Sequence, residues 1–171
     1  MIPRIEFDPD APVPLSGIRV VDLSRLVAGN MISLQLADQG AEVIKIEDPK
    51  VGDPLRAWRT KGLSLHWKVY ARNKKSLALN LRAEGGMEVQ RNLLATADIM
   101  IENYRPGTLE QMGLTPSDLQ ARTPKLCSVR QTASRPPGTA RATPGSSTTS
   151  PRAGPRSTGA RATSTCGPTT K

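Results

Sequence analysis

The sequence predicts an open, doubly wound α/β fold: a mainly parallel sheet with helices between its strands. Two short β-branched runs, Ile18-Arg19-Val20-Val21-Asp22-Leu23 and Val43-Ile44-Lys45-Ile46-Glu47, have strand length and composition. Between them, apolar residues at 31, 32, 34 and 36, followed by Ala37 and a helix-ending Gly40, fit a short helix better than a strand. Strand, helix and strand in that order make a right-handed crossover, which pairs the two strands in parallel. Further strand and helix patterns then follow to about residue 130.

In order along the chain, residues 1–16 are Pro-rich and read as an extended arm, and Gly17 admits the first strand. Ser24–Asn30 reads as a turn into the helix Met31–Asp38, and Val43–Glu47 as the second strand. Asp48–Lys68 is a long connection containing Gly52-Asp53-Pro54, Trp58, His66 and Trp67. A connection of that length in a compact domain is more often functional than idle. The alternating run Leu77–Leu81 is the third strand, Glu84–Ala97 a helix carrying Met87, Leu93 and Leu94, and Asp98–Asn103 the next strand. Gly107–Gly113 is a short helix ending at glycine. Thr115-Pro116-Ser117-Asp118 is a helix start, with proline in the first turn. Lys125–Val129 is one more strand.

Composition divides the chain. Residues 131–171 contain no Leu, Ile, Val, Met, Phe, Tyr or Trp and no acid, yet hold six of the 24 basic residues. The net charge of +9 is therefore mostly a property of this tail, since residues 1–130 have 18 basic against 15 acidic groups. Such a segment cannot bury enough apolar surface to offset its ordering entropy, so it is expected to be disordered. A basic arm for nucleic acid is the functional alternative, but the tail has no aromatic residues for stacking and no Arg-Gly-Gly or Arg-Ser repeat. Two cysteines without a CxxC, and a single histidine, indicate neither a metal site nor a disulfide framework. His66 lacks an accompanying nucleophile motif and reads as a surface or lid residue. No leader or membrane-length apolar run is visible, so a soluble cytoplasmic protein is expected.

Two polar segments are candidates for ligand binding. Ala71-Arg72-Asn73-Lys74-Lys75-Ser76 places cations beside an asparagine ahead of a strand. Glu102-Asn103-Tyr104-Arg105-Pro106-Gly107 ends an apolar run with polar side chains. In open α/β sheets ligands collect at the carboxyl ends of strands, where cations suit a phosphorylated ligand. The same residues also read as a solvated turn and an ordinary strand end. Neither Gly-x-Gly-x-x-Gly nor a Walker A loop is present, although the amides at Ala28-Gly29-Asn30 open a helix and could meet an anion.

Taken together, several segments resemble one family. They are Pro14–Arg25 with Ala28-Gly29, Leu36–Glu47, Gly52-Asp53, Arg72–Ser76, Glu102–Gly107 and Met112-Gly113-Leu114. In order from about residue 14 to 130 they are similar to the N-terminal part of the family III CoA-transferases. That group includes formyl-CoA, carnitine-CoA and dicarboxylate-CoA transferases and the α-methylacyl-CoA racemases. The resemblance implies a Rossmann-like CoA-binding domain over 17–130, incomplete by itself, within an interlocked homodimer. It implies CoA contacts from Val27 and Ala28, from Leu79, Asn80, Leu81 and Arg82, and from Asn103, Tyr104 and Arg105. Arg72, Asn73, Lys74 and Lys75 fit the phosphate-rich end of CoA, Arg as a forked donor and Lys as a point charge. No metal is implied. Asp48 and Gln111 stand where formyl-CoA transferases use arginines, which points away from formyl-CoA.

The family transfers CoA from an acyl-CoA to a carboxylic acid through an aspartyl anhydride, a form of covalent catalysis. That aspartate belongs some tens of residues beyond the last strand, but no Asp or Glu follows Asp118 here. The Gly-rich continuation expected after Ser128-Val129 is also missing. The chain therefore reads as a truncated transferase, inactive alone, with a tail read out of frame from GC-rich DNA. Back-translating Arg141–Ser146 and displacing the frame by two bases gives Arg-His-Pro-Gly-Phe, similar to the family's Arg-x-Pro-Gly-Phe segment. The alternative is a non-catalytic binding module whose basic tail contacts nucleic acid or another polyanion.

Overall fold

The computed structural model describes residues 11, 13–132 and, as backbone, 161–165. Five strands run in parallel: β1 (Arg19–Asp22), β2 (Glu42–Glu47), β3 (Lys74–Ala78), β4 (Ile99–Glu102) and β5 (Cys127–Thr132). Their order across the sheet is β3-β2-β1-β4-β5, with β6 (Arg161–Thr165) added antiparallel to β5 at the edge. The chain thus moves outward from β1 to β3, returns, and moves outward again from β4, so the reversal falls between β1 and β4.

The helices are α1 (Leu26–Asp38), α2 (Leu65–Tyr70), α3 (Glu84–Ala95), α4 (Thr108–Gln111) and α5 (Pro116–Arg122). Alternate strand residues divide the core in two. Val20, Val43 and Ile101 pack with Ala37 and Ala41 on the α1 side. Val21, Ile46 and Met100 pack with Leu94, Leu109 and Leu119 from α3, α4 and α5. Helices on both faces explain why the central strands read as continuous apolar runs rather than alternating ones.

The predicted architecture is the observed one, with local corrections. α1 begins at Leu26, within the segment read as a turn. Strand β3 is Lys74–Ala78 rather than Leu77–Leu81, because pairing of Val43 with Lys74 through Glu47 with Ala78 sets its register. The long connection is not bare loop: it holds a 3-10 turn at Pro54–Ala57 and the helix α2. Asp53 caps that turn by accepting from the Leu55 amide at 2.8 Å, and Leu55 is fully buried. The Arg56 guanidinium lies 3.8 Å from the centre of the Trp67 ring. Thr115 caps α5 as the sequence suggested. Most of the 131–171 tail lies outside the described residues; Arg161–Thr165, within the stretch expected to be disordered, forms β6. Cys127 is disulfide-bonded, where the sequence indicated no disulfide framework.

Candidate functional site: the carboxyl edge of the sheet

Parallel strands bring all their carboxyl ends to one edge, and in folds of this kind the crevice that takes ligands lies where the strand order reverses, here between β1 and β4. The sequence that ends these strands is polar although buried: Asp22, Lys45, Glu47 and Glu102 are each at most 5% exposed. Groups of this kind stay buried only when paired. On the β1 side the crevice is bounded by Ser24–Ala28, on the β4 side by Asn103-Tyr104-Arg105. Val27 and Tyr104 are half-buried, while Ala28 and Arg105 are exposed. Burial pushes the Tyr104 phenol above its ordinary pKa.

Asn103 joins the two sides. Its Oδ1 accepts from the Arg25 amide at 2.8 Å, and its Nδ2 donates to the Arg25 carbonyl, also at 2.8 Å. Gly29 lets the first turn of α1 close on the end of β1, since a Cβ there would stand 2.1 Å from that of Ser24. Along the same edge Leu79–Arg82 follows β3. The Leu79 amide donates to the Glu47 carbonyl at 2.9 Å, and Leu79 and Leu81 pack on the core while Asn80 and Arg82 are exposed. Gly86 in α3 leaves room for this segment, because a Cβ there would lie 2.0 Å from the Asn80 carbonyl oxygen.

Beneath the edge lies a network of buried charges. Asp22 accepts from the Ser24 amide at 2.8 Å and from the Ser24 and Ser33 hydroxyls at 2.5 Å each. The Lys45 ammonium donates to the Ser24 carbonyl at 2.6 Å and lies 3.2 Å from Asp53 and 3.7 Å from Asp22. Glu47 receives the Arg56 fork at 2.6 and 2.9 Å, the Ser76 hydroxyl at 2.6 Å and the Asp53 amide at 2.9 Å. Burial pushes the Glu47 carboxyl up, but these donors outweigh it and hold the group at about 2. Glu102 is paired with Arg130 and accepts from the Tyr104 amide at 2.8 Å.

The structure does not bring Arg72–Lys75 to this edge. They precede or open β3, at the amino end of a parallel strand, and of the four only the Lys74 side chain reaches the network beneath the crevice. They also have acidic partners already. Arg72 and Asn73 donate to Asp38 at 2.5 and 2.9 Å, and the Arg72 guanidinium holds that carboxyl below its ordinary range. Lys75 meets Glu42 at 2.6 Å. Lys74 turns inward, donating to Asn30 and to the Ser33 hydroxyl at 2.7 Å, 3.6 Å from Asp22. The sequence reading took these four for a phosphate site and passed over Asp22, Asn30, Ser33, Lys45 and Asp53. A signal for them was present, since Lys45 interrupts a buried strand and a lysine there needs anions.

His66 is exposed on α2, edge-on to Trp58 with ring centres 6.0 Å apart. Among the described residues no cluster of His, Cys, Asp and Glu is arranged to hold a metal ion. No described helix is long and apolar enough to cross a membrane.

The sheet order and the crevice at its reversal define a Rossmann-like α/β domain. Comparison with known proteins then identifies the lineage: residues 15–160 match the family model described as CoA-transferase family III, and the chain belongs to that family. It is 46% identical over 122 residues to the succinyl-CoA--D-citramalate CoA-transferase of Chloroflexus aurantiacus, covering 70% of this chain and 30% of that protein. With the succinyl-CoA:glutarate CoA-transferase of Mus musculus it shares 39% identity over 131 residues, 74% of this chain and 30% of the mouse protein. A crystal structure of a hypothetical protein from Mycobacterium tuberculosis superposes with a TM-score of 0.67 at 41% identity, over 71% of this chain and 34% of that one. A CAIB/BAIF family protein from Brucella suis gives a TM-score of 0.63 at 37% identity, over 68% and 32% of the two chains. The chain thus spans about a third of the length of the relatives it matches.

Proposed function

We propose that this chain is the CoA-binding part of a family III CoA-transferase and that it binds CoA or an acyl-CoA along the carboxyl edge of its sheet. The observation that carries this reading is the convergence on that edge of three segments distant in sequence: Val27-Ala28, Leu79–Arg82 and Asn103–Arg105. Of the cations the sequence offered, Arg82 and Arg105 are exposed at this edge, whereas Arg72 and Lys75 are paired with Asp38 and Glu42 and Lys74 is held by Asn30, Ser33 and Asp22 beneath it. The ligand's anionic groups are therefore assigned to the former pair.

In the complete enzyme a carboxylate attacks the acyl thioester, expelling CoA as its thiolate and leaving a mixed anhydride. The thiolate then attacks the enzyme's own carbonyl, releasing the donor acid and leaving an enzyme thioester. The acceptor carboxylate reverses these two steps and departs as its CoA thioester. The names of the relatives, which pair succinyl-CoA with a second carboxylic acid, support a donor and acceptor of that class. No Asp or Glu follows Asp118, so these 171 residues are assigned binding without transfer. The residues from 131 onward we attribute to an out-of-frame reading of the gene. We further assign a cytoplasmic location, and a partner subunit over the exposed Trp58, Leu63, Leu65 and Val69.

Calorimetric titration of the full chain with CoA tests the binding. Saturable heat with a Kd below about 1 mM is expected, with no acyl transfer from succinyl-CoA. Absence of binding at that concentration overturns the reading. The basic tail favours one competing role: salt-sensitive DNA binding that disappears on deleting residues 131–171 would establish a polyanion-binding module instead.

A further inference from the structure

The turn joining β1 to α1 has an unusual construction. All six backbone polar groups of Ser24, Arg25 and Leu26 are bonded to side chains. Asp22 and Lys45 take the Ser24 amide and carbonyl, and Asn103 takes both groups of Arg25. The Leu26 amide donates to Asp53 at 3.2 Å, and its carbonyl accepts from Asn30 at 2.5 Å. Asn30 is itself bonded to Asp53 at 2.9 Å. The bonds come from β1, β2, α1, the connection after β2, and the end of β4. They hold a conformation that the chain would not choose alone, since Leu26 has a φ of 62°. A leucine in the left-handed region costs about 1–2 kcal/mol, and it persists only where its surroundings impose it.

We infer that Asp53 and Asn103 are positioning residues, which lock the main chain of Ser24–Leu26 so that Val27 and Ala28 are fixed for the ligand before it arrives. Asp53 is 4% exposed and cannot itself line the crevice. It works through four contacts, to the Leu26 and Leu55 amides, the Asn30 amide and the Lys45 ammonium. Asn103, which the family resemblance suggested as a ligand contact, has both side-chain polar atoms committed to Arg25. A rigid turn spares the ligand the entropy of ordering it, so loosening it weakens binding with little change elsewhere.

This inference rests on the CoA-binding reading for its ligand, but its test does not. Amide hydrogen exchange of Arg25–Ala28 is measured in the full chain without ligand, for the parent, Asn103→Ala and Asp53→Asn. Calorimetry with CoA follows. Each variant is expected to exchange at least about tenfold faster in these residues, with exchange in β1 and β4 unchanged, because a lost bond leaves the turn free to open. CoA binding should weaken by a similar factor in both. Unchanged exchange in Asn103→Ala overturns the inference, and if CoA binding is nonetheless weaker it leaves Asn103 as a direct contact. Should Asp53→Asn unfold, Asn103→Ala decides alone, as its side chain is only half-buried. Faster exchange together with a parent chain that binds no CoA would uphold the locked turn and reject the ligand.

Discussion

Burial pushes the Lys74 ammonium down to about 8, against the pull of Asp22 3.6 Å away, and the Lys45 ammonium pushes it the same way as burial. The folded pKa lies below the unfolded one, so between pH 8 and about 10.4 the unfolded chain binds more protons. Stability should therefore rise with pH in that window. Tyr104, shifted upward, acts in the opposite sense only above about pH 10. Denaturant midpoints at pH 8 and pH 9.5 should differ by on the order of 1 kcal/mol in favour of the higher pH, and the Lys74→Met variant should lose this slope. A flat profile in the parent would show that Lys74 stays charged in the folded state, with a pKa close to its unfolded value. A buried cation with one close carboxylate and one competing cation is weakly held, which is why this lysine shifts.

At Gly86 a helix meets a neighbouring segment so closely that only glycine fits, and the adjacent glycine supplies the control. Gly85 and Gly86 both lie in the first turn of α3, but a Cβ at Gly85 meets nothing within 4 Å, whereas at Gly86 it meets the Asn80 carbonyl oxygen at 2.0 Å. Gly85→Ala should stabilise the chain by up to about 1 kcal/mol through helix propensity. Gly86→Ala should destabilise it by about 1–3 kcal/mol and weaken CoA binding, since Asn80-Leu81 must move. Thermal melts of the two variants side by side check this, and equal effects would show that the Leu79–Arg82 segment does not rest on α3. A reader of the sequence sees two adjacent glycines with no means of ranking them. The helix itself was legible, because Met87 and Leu94 share a face. Strand β3 was legible only as to its presence: the alternation at Leu77–Leu81 pointed three residues too far along, because pairing with β2 uses the preceding Lys-Lys-Ser.

For the molecule as a whole, the proposed CoA binding ties ligand to fold. Saturation with CoA at about a hundred times its Kd should add about 2.7 kcal/mol of stability and raise the Tm by several degrees. A Tm independent of CoA would contradict binding to the folded state. Apart from α2 and β6, the order of strands and helices, and the membership of the family, were determined by the sequence alone. Both rest on local patterns: β-branched runs, helical spacing and short motifs that keep their order along the chain. Which cations stand at the carboxyl edge was decided only by the tertiary structure. Arg72–Lys75 and Arg105 look alike as sequence, but the parallel direction of the strands sends the first group to one end of the sheet and the second to the other. The charged network likewise draws on residues between 22 and 130. Their pairing depends on which strands lie side by side, and no local pattern carries that information.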